Sequence, residues 1–342
     1  MTQHGFAVVG AGLWGAQHAR VLSTLPEADL VAVCDVDASR AEAMRARFGA
    51  RHAYTDLTEL LANPEIEAVT VATPDFAHSA IILAALAAGK HVMSEKPLAT
   101  DLAETERVVA ASKQSGRVLM LDFHNRVSPP VAALREAIAS GELGRVIHGS
   151  LRLSNTTFVP REMLSWASRS SALWFLGSHA VDALRFVTGD EVVRVQAVRR
   201  DGYLKGLGVD TADVHLAILQ LRSGAVVTLE NSWVLPPDSP MVFDFRMELV
   251  GEKGAAQVST ADNGAFRKFS GGGLRTTDLF GSVPAGPGRI GGFVYEAIAR
   301  FIDAVVSGGP LLATAEDGLA ATRILAAIEQ AAATGATVEL LT

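Results

Sequence analysis

Phe6-Ala7-Val8-Val9-Gly10-Ala11-Gly12-Leu13-Trp14-Gly15 decides the fold. A short apolar run ends in G-x-G-x-x-G and passes at once into a helical pattern. Gly10 permits a tight turn, Gly12 lets the backbone approach a pyrophosphate, and Gly15 allows close helix–strand packing. The helix that opens here turns free N–H groups and a positive dipole end towards an anion. Such a triplet alone is common in loops, so its surroundings carry the argument. The next strand, Leu30-Val31-Ala32-Val33, leads to Asp35, 20 positions after Gly15. A carboxylate there accepts the hydroxyls of an adenosine ribose and repels a 2′-phosphate, which favours NAD. Arg40 is near enough in sequence to attract that phosphate, so NADP stays open.

Outward from this turn, short apolar runs alternate with helical stretches to about residue 122. Ala68–Val71, His91–Met93 and Val118–Leu121 are further strands. Gly15–Leu25, Ser39–Phe48, Leu57–Leu61, His78–Ala88 and Leu102–Ser115 are the helices between them. Continuous rather than alternating apolar runs suit parallel strands covered on both faces. Strand–helix alternation of this kind implies a doubly wound, Rossmann-type sheet. Asp101 and Glu104 have the spacing of a capping box. After residue 123 the texture changes. Helices over Pro130–Ser140 and His179–Val187 precede alternating strands at Val192–Arg199, Val214–Leu221, Ala225–Ser232, Phe243–Val250 and Ala255–Ser259. That pattern suits an open, mainly antiparallel sheet. Residues 270 to 292 hold eight glycines and are expected to be a mobile loop; two helices, Val294–Ser307 and Ala315–Thr334, close the chain. The expected division is an NAD(P)-binding domain over 1–122 and an α+β domain over 123–342.

Bulk properties narrow the function. The 342 residues are 49% apolar and 20% charged, a globular composition. A net charge of -7 without a Lys/Arg cluster argues against nucleic acid or an anionic membrane as partner. Cys34 is the only cysteine, which excludes a disulfide framework and a Cys-based zinc site. No signal-peptide pattern or membrane-length apolar window is evident, so cytoplasm is the expected compartment. No G-x-S-x-G elbow suggests a hydrolase. Asp213 and His215 share a strand face, but two residues do not make a metal site, and none is expected.

Two further turns fall at the carboxyl edge of the first sheet, where ligands bind in such folds. Thr73-Pro74 follows the third strand of the alternation and could lie against the nicotinamide ribose, or simply end the strand. Ser94-Glu95-Lys96-Pro97 follows another. A partly desolvated lysine there could have its pKa lowered enough to act as acid and base.

These motifs resemble the Gfo/Idh/MocA oxidoreductases. The matching residues are Gly10 to Gly15, Asp35, Thr73-Pro74 with His78, Glu95-Lys96-Pro97, His124-Asn125-Arg126, Gly177-Ser178-His179 with Asp182, and Ala315-Glu316-Asp317-Gly318. The resemblance implies a nucleotide domain followed by an open sheet domain that forms part of the active site and the contact of a homodimer or homotetramer. It implies that Lys96 takes or gives the substrate hydroxyl proton, that Pro97 follows a cis peptide bond, and that His179 hydrogen-bonds the reacting hydroxyl. Leu13, Trp14, Thr73, Pro74, His78, Glu95, Lys96, Pro97, Asn125 and Arg126 then join the glycines, Asp35 and Arg40 around the cofactor.

One departure stands out. Many members carry aspartate four residues before the histidine; here it is Phe175. Lys96 loses an anion that would favour its charged form, and His179 loses a partner. Asp182 then either orients the ring or serves only as a cap or surface group. Trp166 and Phe175, with Trp174, make an apolar wall for the C–H face of a sugar or an aryl group, or else core packing. His124, Trp166, Phe175 and Asp182 thus join Lys96 and His179 as substrate-facing candidates. The expected reaction is oxidation of a secondary hydroxyl on a sugar, glycoside or cyclitol. Reduction of a C=O or C=N group on a less polar metabolite, and a non-catalytic nucleotide-binding relative, remain the alternatives.

Overall fold

The computed structural model describes residues 3–260, 267–270, 273–276, 281–285 and 290–340. They form two compact units. The first contains strands β1 (His4–Val9), β2 (Ala28–Cys34), β3 (His52–Tyr54), β4 (Ala68–Val71), β5 (His91–Ser94) and β6 (Leu119–Leu121), all paired in parallel in the order β3-β2-β1-β4-β5-β6. Phe6 to Val9, Val31 to Cys34 and Val69 to Val71 are buried because helices cover both faces. Those helices are α1 (Leu13–Leu22), α2 (Ala38–Phe48), α3 (Leu57–Ala62), α4 (His78–Ala87) and α5 (Leu102–Ser115). Asp37, Asp56 and Asp101 cap α2, α3 and α5 through their side chains. The expected capping box on α5 is only half formed, since the Glu104 carboxylate accepts the Ser79 hydroxyl at 2.7 Å. The strand order reverses between β1 and β4, the place where such sheets open for a ligand.

The second unit contains α6 (Pro129–Ala139), β7 (Val146–Asn155), α7 (Ser178–Thr188), β8 (Val192–Asp201), the short α8 (Tyr203–Gly206), β9 (Ala212–Leu221), β10 (Val226–Ser232), β11 (Phe243–Gly251) and β12 (Ala255–Ser259). Its seven-stranded sheet runs β12-β11-β7-β10-β9-β8 and then a last short strand near the C-terminus; only β7 and β10 pair in parallel. The described parts of the expected loop hold two antiparallel pairs instead: β13 (Arg267–Ser270) with β14 (Gly273–Thr276), and β15 (Val283–Pro284) with β16 (Ile290–Gly291). The rest of that loop lies outside the described residues. Then come α9 (Phe293–Ser307), α10 (Ala315–Thr334) and β17 (Val338–Glu339), which is the last strand of the sheet.

A single boundary after residue 122 does not describe the chain. Gly281–Leu319 returns to the first unit, and the second comprises Asn125–Phe280 and Ala320–Thr342. The return has a packing cause. Phe301 meets Phe6 edge-on at 6.0 Å, the Leu121 N–H donates to Ala313 O at 3.1 Å, and Gly318 lies so close to Leu98 and Leu121 that no Cβ would fit.

His215 and Asp213 have separate lives in the second unit. Asp213 accepts from Arg200 at 2.6 Å and from the N–H groups of Tyr203 and Leu204, fixing the start of α8. His215 is buried, and burial first, then the Arg199 charge, pushes its pKa down to about 4. The unfolded chain binds that proton from pH 6.5 downwards and the folded chain only near 4. Stability therefore falls as pH drops through this window, by roughly 3 kcal/mol from this residue alone. Urea melts of wild type and His215→Leu between pH 7 and 4 should show the steeper loss in wild type.

Candidate active site

The glycine turn has the form its sequence requires. Gly10 sits at φ 104°, a conformation L side chains rarely adopt, and a Cβ on it would meet Ala72 O at 2.4 Å. A Cβ on Gly15 would lie 1.8 Å from Gly10 O, whereas one on Gly12 would meet nothing within 4 Å. Backbone thus closes over two glycines and leaves the third facing open space at the start of α1. Asp35 accepts the Ala11 N–H at 2.7 Å and the Asp37 N–H at 2.9 Å, so its carboxylate is fixed beside the turn. The apolar side chains next to these groups, Leu13 and Val36, are 62% and 95% exposed and offer an apolar surface on which an adenine can lie. These features fit a dinucleotide. Arg40 instead pairs with Asp37 at 3.5 Å on the exposed face of α2, a solvated role that gives no support to a 2′-phosphate contact.

Across the sheet edge, His78 ties two turns together: Nδ1 lies 2.7 Å from Pro97 O and Nε2 lies 2.9 Å from Thr73 O. Both ring nitrogens face main-chain carbonyls, so His78 holds the Thr73-Pro74 turn against Lys96-Pro97 rather than reaching outward. The Lys96–Pro97 peptide is cis.

Lys96 is only 7% exposed. Burial pushes its ammonium below the ordinary lysine value, while the charges of Glu95, Asp75 and Asp122 pull the other way. Glu95 is also buried, which would raise its carboxyl; the His18 hydrogen bond and the charges of His18, Lys96 and His124 outweigh that and hold it well below the usual range. His18 Nε2 lies 3.3 Å from Glu95 Oε1 and 3.9 Å from Asp122 Oδ2, all three side chains being buried. Their donor atoms lie within 4.8 Å of one another. His124, placed with the substrate by sequence, is clamped between Trp14 and Phe293, with ring centroids at 5.5 and 5.2 Å and near-parallel planes. Its Nδ1 lies 3.4 Å from Asp122 Oδ1.

In the second unit, His179 and Ser178 open α7, which continues from a π-helical turn over Leu173–Gly177. Phe175 touches Trp166 edge-on at 5.9 Å and Trp233 at 5.8 Å. Trp233 is fully buried, and its Nε1 has no hydrogen-bond partner. Trp174 belongs to the core, donating from Nε1 to Glu329 at 2.9 Å. Asn125 and Arg126 fall in this unit. Arg126 grips Asp182 in two hydrogen bonds of 2.9 and 2.6 Å, so the carboxylate proposed to orient His179 is held by the guanidinium. Arg126→Met takes the guanidinium away from a buried carboxylate and should lower the unfolding free energy by about 3 kcal/mol in denaturant titration.

His18, Asp75, Asp122 and Phe293 in the first unit, and Trp233 in the second, are residues that sequence reasoning did not single out. Asp122 ends a strand at the edge already marked by Asp35 and Glu95, and that rule could have found it.

The matches to known proteins agree with this geometry. Residues 4–123 match a family model described as an oxidoreductase family with an NAD-binding Rossmann fold, and residues 131–257 match the GFO/IDH/MocA C-terminal domain. The chain is 34% identical over 266 residues to an inositol 2-dehydrogenase of Acidothermus cellulolyticus, covering 77% of this chain and 75% of that protein. It is 32% identical to inositol 2-dehydrogenase 1 of Mycolicibacterium vanbaalenii over 98% of this chain and 95% of that one. Among solved structures, GenD2 from gentamicin A biosynthesis, in complex with NAD, shares 27% identity at a TM-score of 0.86, over 100% of this chain and 97% of that one. The chain belongs to the GFO/IDH/MocA oxidoreductases, and its first unit is the family's NAD-binding domain.

Proposed function

We propose that the protein is an NAD-dependent dehydrogenase that oxidises a secondary hydroxyl of a cyclitol or a related sugar, with Lys96 as the proton acceptor. The observation that carries this reading is the Lys96 amine: buried, below its ordinary pKa, and presented from the same sheet edge as the glycine turn. Oxidation of an alcohol needs a base for the hydroxyl proton and an acceptor for the hydride. NAD, when bound, supplies the second. Lys96 supplies the first and returns the proton in the reverse direction. His78 and the turn it ties to Pro97 fix where the amine stands. His179 is assigned to orient the hydroxyl, and Asp35 to discriminate against a 2′-phosphate. The names of the curated relatives support a cyclitol as the substrate class. The part-exposed Trp166 and Phe175, meeting edge-on, favour a second reading in which the sugar carries an apolar substituent.

Contact between copies of the chain is assigned to the second unit's sheet, whose outer face exposes Val198, Leu216, Ile218 and Val226. Nicotinamide absorbance with NAD or NADP, followed over a panel of cyclitols, hexoses and aryl glycosides, tests the function. Turnover with a cyclitol and preference for NAD are the expected results. NAD binding without turnover on any panel member would leave a nucleotide sensor as the better reading.

A further inference from the structure

We infer that His18 is a positioning residue for the reaction: its buried imidazole holds Glu95 and, through the backbone, the turn that presents Lys96. The inference rests on the reading of Lys96 as proton acceptor and adds a group that aims it.

The placement begins at the glycine turn. Without a side chain at Gly15, α1 lies against the main chain of Gly10. His18 follows Gly15 by three residues, so it projects from the same helix face, towards the sheet. It is 0% exposed. Its Nε2 lies 3.3 Å from Glu95 Oε1 and 3.9 Å from Asp122 Oδ2, so Glu95 has the hydrogen bond and Asp122 stands at ion-pair distance. A carboxylate can only accept, so Nε2 carries the hydrogen. Among the described residues no other group donates to the Glu95 carboxylate. Oε1 is thus spent on His18, and Oε2 remains to meet a ligand. The backbone around this contact is pinned as well. The Glu95 N–H donates to Val71 O at 2.8 Å, and the Ser94 hydroxyl donates to Glu95 O at 2.7 Å. Beyond Lys96, His78 Nδ1 lies 2.7 Å from Pro97 O. Two buried histidines, from α1 and α4, therefore brace the residues before and after the lysine.

The chemical consequence has a definite sign. The charged groups facing Glu95 are His18 from α1, Lys96 from its own turn and His124 after β6, with Asp122 beyond His18. Burial raises the Glu95 carboxyl; the His18 hydrogen bond, then its charge, lead the opposition that brings it well below the usual range. Without the imidazole burial prevails, Glu95 takes up a proton in mildly acid solution, and the turn loses an anchor. His18→Leu should therefore lower kcat for oxidation by about tenfold or more, with NAD affinity within about threefold of wild type. Reduction of a keto-cyclitol by NADH gives the pH readout. It needs the charged amine, so the wild type should keep its rate towards acid pH. The Leu variant should lose that rate below about pH 6, because a protonated Glu95 no longer favours the charged amine.

Two amides of different reach separate positioning from packing. His18→Gln carries an N–H at nearly the distance of Nε2, and should recover kcat to within about threefold together with the wild-type reduction profile. His18→Asn stops short of Glu95, should behave as His18→Leu, and replaces it if the Leu variant does not fold. Wild-type kcat and an unmoved reduction profile in the Leu and Asn variants would make His18 a packing residue and overturn the inference. Equal losses in Gln, Leu and Asn would overturn it too, since the reach of the donor would then be irrelevant. Stoichiometric divalent metal in the purified protein, with activity lost on chelation, would overturn it by assigning the His18–Glu95–Asp122 cluster to a cation. Full turnover by Lys96→Ala would remove the proton acceptor itself, and so is distinguishable from a failure of His18 alone.

Discussion

Lys96→Ala is expected to lower kcat for alcohol oxidation about a thousandfold at saturating NAD, within the range that general-base catalysis supplies. The same change should cost stability, because it removes the cation from a buried group that contains Glu95 and Asp122. Lys96→Arg separates the two effects. A guanidinium keeps the positive charge but does not lose its proton at accessible pH, so it cannot accept one from substrate. Stability should recover towards wild type while turnover stays low. NAD affinity should stay within about threefold in both variants, since the pyrophosphate and the adenosine ribose, the most polar parts of the dinucleotide, are assigned to the glycine turn and Asp35. Turnover of Lys96→Arg within tenfold of wild type would mean that the proton leaves by another route.

The second large effect separates fold from cofactor at neighbouring glycines. Gly15→Ala places a methyl 1.8 Å from Gly10 O. The obstacle is a main-chain carbonyl and the methyl is rigid, so no side chain can turn aside, and the helix must move off the strand. Chemical denaturation should show a loss of about 3 kcal/mol or more, the upper end for overpacking. Gly12→Ala meets no protein atom within 4 Å, and its denaturation midpoint should match wild type. The added methyl occupies the approach assigned to the pyrophosphate, so the NAD Kd should rise at least about tenfold in a fluorescence titration. Equal stability losses in the two variants would show that the turn is only a packing device.

The first sheet was legible because its strands are covered on both faces, and a continuous apolar run such as Phe6–Val9 follows directly from that. The second sheet was legible where alternation is clean, as in Phe243–Gly251. Its inner strand β7 was missed. Leu151 and Leu153 alternate with Ser150, Arg152 and Ser154 over only five residues, and Arg152 spends its charge on Glu230 and Asp244 of neighbouring strands. No local period announces such a pairing. The return of Gly281–Leu319 to the first unit was hidden for a related reason: Phe293 and Phe301 are identified by what they pack on, not by their neighbours in sequence. The turn from Gly10 to Gly15 and the Glu-Lys-Pro element could be read because each is a contiguous string. The cluster of His18, Glu95 and Asp122 draws on three separated segments and became visible only in three dimensions.

The transfer of hydride from a carbinol carbon to NAD is the step on which the account depends, and isotopic labelling observes it directly. A cyclitol deuterated at its carbinol carbons, incubated with the enzyme and NAD, should give reduced cofactor carrying one deuterium by mass spectrometry. Reduced cofactor without deuterium, or deuterium recovered only in water, would contradict direct transfer and the account built on it.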